Sequence, residues 1–138
     1  MKVTSELPIR AACVLLEREG LILAVETAHR PGELSLPGGG VDPGEAPGDA
    51  AIREALEETG LVVQIDPAPV HVGRSGAGLS LVATFRVRSF QGTPTPGSDA
   101  LAVRWVTRAE LLDPRNRYAE HNRRVVEATK APGLTDPQ

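Results

Sequence analysis

The segment GGGVDPGEAPGDAAIREALEETGL, residues 38–61, is the part of this sequence that most strongly indicates the fold. Its first half is rich in glycine and proline, and its second half is rich in helix-forming residues. Pro47 suits the first position of a helix, where the missing N–H of proline would have no partner. Gly60 is a residue type that commonly ends a helix. The segment therefore predicts a loop followed by a helix over residues 50–59.

Three glutamates of this predicted helix share one face. Glu54, Glu57 and Glu58 are spaced i, i+3 and i+4, and each like-charge pair costs roughly 0.2–0.5 kcal/mol on an isolated helix. Residues 50–60 contain no lysine and one arginine, Arg53, so a solvated charged face explains them poorly. Convergent carboxylates instead favour a binding site for Mg²⁺ or Mn²⁺.

The segment also resembles a known motif, the Nudix box G-x5-E-x7-R-E-U-x-E-E-x-G-U, in which U is an aliphatic residue. Every fixed position is matched, and the matching residues are Gly39, Glu45, Arg53, Glu54, Glu57, Glu58 and Gly60. The box spans residues 39–61, and the lead-in at residues 36–39 and the Arg104-Trp105-Val106 run are also similar to this family. The resemblance implies the α/β Nudix fold, in which a mixed β-sheet is sandwiched between helices (α/β/α).

The resemblance implies a role for each carboxylate of the helix. Glu54, Glu57 and Glu58 occupy metal-ligand positions for Mg²⁺ or Mn²⁺. Gly38 matches a glycine whose backbone carbonyl often joins the coordination sphere. Arg53 is expected to hold a carboxylate in place, with Glu57 as the usual partner, because a guanidinium fork suits that task.

Other positions of the box are expected to support this site. Glu45 is expected to hydrogen-bond within the loop and helix, and Gly39 and Gly60 are expected to be structural. The implied reaction is attack of water on a phosphorus of a diphosphate linkage, with metal ions neutralising and orienting the phosphates. Glu58 is the first candidate for the general base and Asp99 is the second, although Asp99 alternatively caps a turn. The catalytic residues implied by the resemblance are Arg53, Glu57, Glu58 and Asp99.

The resemblance implies an enzyme similar to MutT, which would hydrolyse a phosphoanhydride bond in a nucleoside tri- or diphosphate. An alternative substrate is ADP-ribose or another nucleotide sugar, although Ser75 stands where ADP-ribose hydrolases have a proline. A non-catalytic nucleotide-sensing domain is a further alternative, which the complete box disfavours. Leu34 replaces the aromatic residue that many relatives have three residues before Pro37. The choice of nucleotide and the substrate-binding residues stay open.

The length and composition of the chain limit the other possibilities. A chain of 138 residues suits a single domain, residues 1–138, and a net charge of −3 gives no reason to expect a nucleic-acid partner. Cys13 is the only cysteine, and its apolar neighbours predict a buried side chain rather than a nucleophile. The sequence has neither a transmembrane run nor a hydrophobic signal core, so we expect a cytoplasmic protein with no membrane partner. Either a monomer or a homodimer is compatible with it, and its ligand is expected to be a small nucleotide.

The remaining sequence predicts several strands and a second helix. Residues 9–16 and 21–26 are expected to form a hairpin. Thr107 and Glu110 are spaced as a capping box that opens a helical turn. Further strands are predicted at residues 61–65, 71–74, 79–90 and 103–106, a helix at residues 117–130 and a frayed tail at residues 131–138.

Several basic residues outside the box could face a phosphate. His29 and Arg30 precede the glycine-rich loop, and a solvated loop explains them equally well. A group of arginines follows later, and a solvated helix face is the preferred interpretation of them. These arginines are Arg115, Arg117, Arg123 and Arg124. His71 is expected to be packed or exposed rather than catalytic.

Overall fold

The computed structural model describes residues 7–76, 78–97 and 100–129 of the chain. The strands are β1 (Ile9–Leu15), β2 (Glu17–Arg18), β3 (Leu21–Thr27), β4 (Gly38–Gly40), β5 (Val62–Ile65), β6 (His71–Arg74), β7 (Leu81–Gln91) and β8 (Ala100–Val106). The helices are α1 (Pro47–Thr59), α2 (Arg108–Leu111) and α3 (Ala119–Thr129). The predicted tail at residues 131–138 lies outside the described residues.

Two β-sheets form the centre of the molecule. The larger sheet has the strand order β4-β1-β7-β5, and β6 pairs with another part of β7. β1 and β7 are parallel and the other pairs are antiparallel, so this sheet is mixed. The 11 residues of β7 allow it to pair with β6 along its first half and with β5 along its second half. The smaller sheet has the order β2-β3-β8.

The predicted hairpin between residues 9–16 and 21–26 is wrong in its pairing. β1 lies in the larger sheet and β3 in the smaller one, and only the short β2 pairs with β3 in a hairpin. The physical reason is that β1 is apolar on both faces. Such a strand is stabilised by a central position, and β1 takes one between β4 and β7.

Alternate residues of β1 point into two separate hydrophobic cores. Ala12 and Val14 belong to the core that α1 covers, and Cys13 and Leu15 belong to the core beneath α2 and α3. The larger sheet therefore lies between helices. The predicted α/β/α arrangement is confirmed in this respect.

The two ends of α1 follow the sequence signals. The helix begins at Pro47, earlier than the predicted range 50–59, and ends at Thr59. Gly60 then adopts the left-handed conformation with φ of 76°, and its N–H donates to the Leu56 carbonyl oxygen at 2.9 Å. The suitability of Pro47 for the first helical position and the helix stop at Gly60 are confirmed, and the predicted range missed only the first turn.

The capping box at the start of α2 is also confirmed. The Glu110 N–H donates to Thr107 Oγ1 at 3.1 Å, and the Thr107 N–H donates to Glu110 Oε1 at 2.8 Å. The box turns the chain after β8, and α3 then brings Val125 and Val126 into the second core.

The helices are short in comparison with a lipid bilayer. The longest, α1, has 13 residues. In the part of the chain that the structure describes, no helix has the length and apolar character needed to cross a membrane.

Candidate active site

Glycines bring α1 and the larger sheet together at the box. β4 consists of Gly38, Gly39 and Gly40 and pairs with β1. A Cβ atom at Gly38 would collide with Cys13, and a Cβ atom at Gly39 would collide with the Glu54 carboxylate. Gly38 therefore needs glycine for lack of space beside the β1 backbone, whereas a side chain at Gly39 would displace the Glu54 carboxylate, which lies directly against the strand backbone.

Glu54 and Glu58 lie one helical turn apart against β4. Glu58 Oε1 accepts a hydrogen bond from the Gly38 N–H at 3.0 Å, and Glu58 is only 8% exposed. The Glu54 side chain lies against Gly39 and is 16% exposed. Burial raises the pKa of the Glu54 carboxyl, although a hydrogen bond from Arg53 opposes this shift. Both carboxylates are thus largely shielded from water.

Arg53 is the centre of a hydrogen-bond network beside these carboxylates. Its Nε and Nη2 atoms donate to Glu45 Oε2 and Oε1 at 2.9 and 3.0 Å, a bidentate pair. Nη2 also donates to the Gly40 carbonyl oxygen at 2.9 Å. Nη1 donates to Glu54 at 3.1 Å and reaches Glu57 only at 3.4 Å. Arg53 therefore contacts Glu57, the expected partner, but its bidentate partner is Glu45, which the sequence did not indicate.

Glu45 joins the glycine-rich loop to α1. In addition to the bonds from Arg53, its Oε1 atom accepts a hydrogen bond from the Asp42 N–H at 2.9 Å. The hydrogen bonds from Arg53 and then from Asp42 lower the pKa of the Glu45 carboxyl, and the contact with Glu45 raises the pKa of Arg53. The ion pair therefore stays charged and holds the loop against the helix.

The three predicted metal ligands are not gathered around one point. Glu54 and Glu57 share Nη1 of Arg53, whereas Glu58 turns towards Gly38. Within the described residues, no three His, Cys, Asp or Glu side chains form a ready metal cluster. The donor set nevertheless fits a hard divalent cation, because the Glu54 carboxylate occupies a glycine-lined recess where burial disfavours its charge.

A cavity of about 740 Å³ opens beside β1 and β4. Its wall is completed by three segments, residues 27–36, 74–76 and 117–122, that are far apart in sequence. The cavity therefore exists only because the two sheets and α3 bring these segments together.

The predicted site residues differ in their position relative to this cavity. Gly38, Gly39 and Glu58 border it, whereas Arg53 and the other two glutamates do not. Asp99 lies outside the described residues, so its role stays a prediction. The candidate site thus has two parts, a carboxylate helix and a cavity, that meet at Glu58.

Arginines from three separate segments border the cavity. They are Arg30, Arg74 and Arg117. The Arg117 guanidinium lies 6.0 Å from the centre of the Tyr118 ring, and Arg74 donates to the Gly78 carbonyl oxygen at 3.2 Å. The sequence marks Arg30 and Arg117 as candidates and does not mark Arg74. No linear pattern signals that these three arginines share one cavity.

Asn122 of α3 also borders the cavity, and sequence analysis did not identify it. The residue is fully buried, and its Nδ2 atom donates to the Leu111 carbonyl oxygen at 3.0 Å. Its Oδ1 atom is buried without a hydrogen-bond partner among the described residues. Asn122 precedes Val125 by three residues, so it lies on the apolar side of the helix. A polar residue on the apolar side of a predicted helix is the feature of the sequence that could have identified Asn122.

Cys13 and His121 are neighbours at the cavity wall, with Sγ and Nε2 3.9 Å apart. Burial raises the pKa of the Cys13 thiol to about 11, and its Sγ atom lies 3.1 Å from Thr84 Oγ1. Burial lowers the pKa of His121 to about 4, and the charges of His71 and Arg124 add to this shift. Both side chains are therefore neutral near pH 7, and the predicted burial of Cys13 is confirmed.

Comparison with models of known protein families shows which family this chain belongs to. A model of the NUDIX domain matches residues 6–129 of the chain. This chain belongs to the Nudix family. The family resemblance and the fold that the box implies are therefore confirmed.

Solved structures share the fold of this Nudix chain. The solution structure of the E. coli ORF135 protein has a TM-score of 0.77 and 24% sequence identity, and the match covers 99% of this chain and 100% of that one. The crystal structure of a MutT NUDIX hydrolase from Burkholderia pseudomallei has a TM-score of 0.72 and 24% identity, with 88% and 99% of the two chains covered. At these identities the similarity concerns the fold alone.

Curated relatives match a shorter part of this Nudix chain. Diphosphoinositol polyphosphate phosphohydrolase 3-beta from Bos taurus is 46% identical over 54 residues, which is 38% of this chain and 33% of that protein. The matched part is about a third of the length of that relative. The whole activity of the relative therefore does not transfer directly to this chain.

Proposed function

We propose that this Nudix protein hydrolyses a phosphoanhydride bond in a nucleoside tri- or diphosphate with the help of a divalent cation. The observation that carries the proposal is the meeting of the carboxylate helix and the cavity at Glu58. A cavity of about 740 Å³ is of the size usual for small-molecule sites. A substrate lying across this edge would have its phosphates at α1 and its nucleoside in the cavity.

The cation would be Mg²⁺ or Mn²⁺, and Glu54, Glu57, Glu58 and the Gly38 carbonyl oxygen are the groups that would hold it. When bound, it supplies neutralisation of phosphate charge and activation of water. Arg53 would keep the Glu54 carboxylate oriented, since it donates to that carboxylate at 3.1 Å.

The proton of the attacking water needs an acceptor. Glu58 is the best-placed candidate, because it is the helix glutamate that borders the cavity and is the most buried of the three. Asp99 stays the second candidate. Glu58 would act either as this base or as a metal ligand, and in the second case the base would be Asp99.

One residue at the cavity supports a nucleoside as the bound group. Tyr118 borders the cavity, is 45% exposed and offers a ring face on which a base can stack.

A second candidate substrate class is the diphosphoinositol polyphosphates. The name of the relative that is 46% identical over 54 residues suggests it. The specific observation in its favour is the set of arginines at the cavity, Arg30, Arg74 and Arg117. Three guanidinium groups suit a ligand with several phosphates beyond the diphosphate that is cut.

A hydrolysis panel with product identification tests both candidates. The full chain is incubated with Mg²⁺ or Mn²⁺ and with nucleoside tri- and diphosphates, ADP-ribose and a diphosphoinositol polyphosphate, and the products are identified by ³¹P NMR. We expect release of phosphate or pyrophosphate from a nucleoside phosphate. The Glu58→Gln variant should lose this activity. That loss would show that the activity comes from this protein and not from a contaminating enzyme.

Each other outcome of the panel has a distinct meaning. Cleavage of ADP-ribose alone would select a nucleotide-sugar hydrolase, and cleavage of the diphosphoinositol polyphosphate alone would select the second candidate. Absence of cleavage from neutral to alkaline pH would refute the hydrolase proposal. Tight nucleotide binding without turnover would favour a nucleotide-sensing domain instead.

A further inference from the structure

The segment between β7 and β8 lies against the C-terminal turn of α1. The Gly97 N–H donates to the Glu58 carbonyl oxygen at 3.1 Å, and the Thr95 N–H donates to the Thr59 carbonyl oxygen at 2.8 Å. These two carbonyl groups belong to the last residues of the helix. Residues 92–97, here called the β7–β8 loop, therefore cap the turn that carries two of the box glutamates.

This turn needs such a cap more than most helix ends do. The last carbonyl groups of an α-helix have no partner within the helix. Negative side chains are disfavoured at the same end by the helix dipole, and the last turn of α1 contains no basic residue. Glu57 and Glu58 both stand there. The Gly60 N–H donates to the Leu56 carbonyl oxygen, and the β7–β8 loop supplies the donors to the Glu58 and Thr59 carbonyl oxygens.

Gly97 makes this contact possible because it has no side chain. A Cβ atom at Gly97 would lie 2.5 Å from the Glu57 carbonyl oxygen, closer than real Cβ atoms approach any neighbour. That neighbour is backbone, so it cannot swing aside as a flexible side chain would. The reason for glycine here is space and not a positive φ.

We propose that Gly97 is a positioning residue that seats the β7–β8 loop on α1 and thereby places Glu57 and Glu58 for divalent-cation binding. The proposal rests on the metal role given to these glutamates in the proposed function. Gly97 itself touches neither cation nor substrate, and it acts through the two carbonyl groups that the loop caps. By thermodynamic reciprocity, a bound cation must in turn favour the seated loop.

The first test measures metal binding in the absence of substrate. Mn²⁺ is titrated into the wild type and into Gly97→Ala, and free Mn²⁺ is counted from its EPR signal. We expect the dissociation constant of Gly97→Ala to rise roughly tenfold, within the range usual for coupled sites. A folded Gly97→Ala protein whose constant stays within about twofold of the wild-type value would overturn the proposal.

The control separates positioning from a general loss of stability. Val125 is fully buried in the second core, away from α1, and Val125→Ala lowers stability by leaving a cavity. We expect this variant to bind Mn²⁺ as the wild type does. Equal weakening in both variants would show that Gly97 acts only through overall stability, and would reject a positioning role.

The second test uses the wild type, so that it holds even if Gly97→Ala does not fold. Amide hydrogen exchange is followed with and without Mn²⁺. We expect Mn²⁺ to slow exchange at the Thr95 and Gly97 amides, which cap α1. Slower exchange in α1 without any change at these two amides would reject the coupling.

Failure of the proposed function and failure of the positioning role give different combinations of Mn²⁺ binding and activity. A wild type that binds no Mn²⁺ removes the metal role and this proposal with it. A wild type that binds Mn²⁺ while Gly97→Ala binds equally well rejects the positioning role alone. A protein that shows the expected coupling but cleaves no phosphoanhydride would reject only the proposed reaction.

Discussion

Arg53 organises the box through contacts with carboxylates on both sides of the loop–helix boundary. Its fork is filled by Glu45, and its remaining nitrogen, Nη1, reaches Glu54 and Glu57. The side chain thus links the loop that contains Glu45 to the helix that carries the glutamates. An arginine in this position orients carboxylates that a lysine could not hold together, because lysine has no planar fork.

Arg53→Lys is therefore expected to lower activity although the positive charge is kept. The loss should be about 10- to 100-fold in kcat/KM or in Mn²⁺ affinity, as is usual when a group that orients metal ligands is removed. Steady-state kinetics and Mn²⁺ titration measure these quantities. The matched control is Arg123→Lys, since Arg123 pairs with Glu120 and Glu127 on the exposed face of α3. Similar losses in both variants would contradict the role of the fork.

Position 60 requires glycine because of its backbone conformation, whereas position 97 requires glycine because a side chain would not fit. Its φ of 76° is disfavoured for residues that carry a Cβ atom. Gly60→Ala is expected to lower the free energy of unfolding by roughly 1–2 kcal/mol. Urea unfolding followed by circular dichroism measures this change. Gly76→Ala is the control, because a Cβ atom there meets nothing within 4 Å, and an equal loss in both variants would contradict the argument.

At the level of elements, α3 is held against the rest of the molecule partly by a pair of histidines. The rings of His121 on α3 and His71 on β6 meet edge to face, with centres 6.0 Å apart. Burial lowers the pKa of both residues, and Arg124 contributes to each shift. Cys13 faces His121 as a neutral thiol. The packing of α3 therefore depends on neutral imidazole rings.

The stability of the fold should consequently fall in mildly acidic solution. The pKa of His121 is lowered from 6.5 to about 4, so the unfolded chain takes up its proton first as the pH falls. The free energy of unfolding should decrease between about pH 6.5 and pH 4, by up to about 3 kcal/mol from His121. Above pH 6.5 this contribution to stability is fully present.

Urea unfolding at pH 7 and pH 5 provides the measurement. His121→Gln should lose less stability between the two pH values than the wild type does, because glutamine does not titrate. Ile22→Val, which removes a buried methylene group but keeps His121, should lose as much stability between the two pH values as the wild type does. An unchanged pH dependence in His121→Gln would show that other groups cause the acid sensitivity.

At the level of the whole molecule, the proposed function would divide cation binding on α1 from ligand binding in the cavity. Glu54, Glu57 and Glu58 lie on α1, whereas the cavity wall combines β1 and β4 with residues 27–36, 74–76 and 117–122. Glu58 is the helix glutamate that borders the cavity. Changes on the cavity wall should therefore affect substrate binding more than the chemical step.

Arg117→Gln tests this division. Since Arg117 borders the cavity away from the helix carboxylates, its loss should raise KM several-fold with little change in kcat. Arg115→Gln is the matched control, because Arg115 lies two residues away, pairs with Asp113 and is outside the cavity lining. A fall in kcat with unchanged KM for Arg117→Gln would place this arginine in the chemical step instead.

Local features of this protein follow from its sequence because they depend on neighbours along the chain. The i, i+3 and i+4 spacing places the box glutamates on α1, Pro47 and Gly60 mark its ends, and the capping box begins α2. Each of these features involves backbone geometry or hydrogen bonds within a few residues. The Nudix family could be identified from the box for the same reason, because its pattern is local.

Other features depended on contacts between distant segments, and only the tertiary structure settled them. The sequence does not show that β1 leaves β3 for β7, since that choice depends on which strand covers each apolar face. It does not show that Arg53 prefers Glu45 to Glu57, because the path of the loop determines which carboxylate meets the fork. The cavity is the clearest case: Asn122 and the three arginines come together only through long-range packing, which leaves no periodic trace in the sequence.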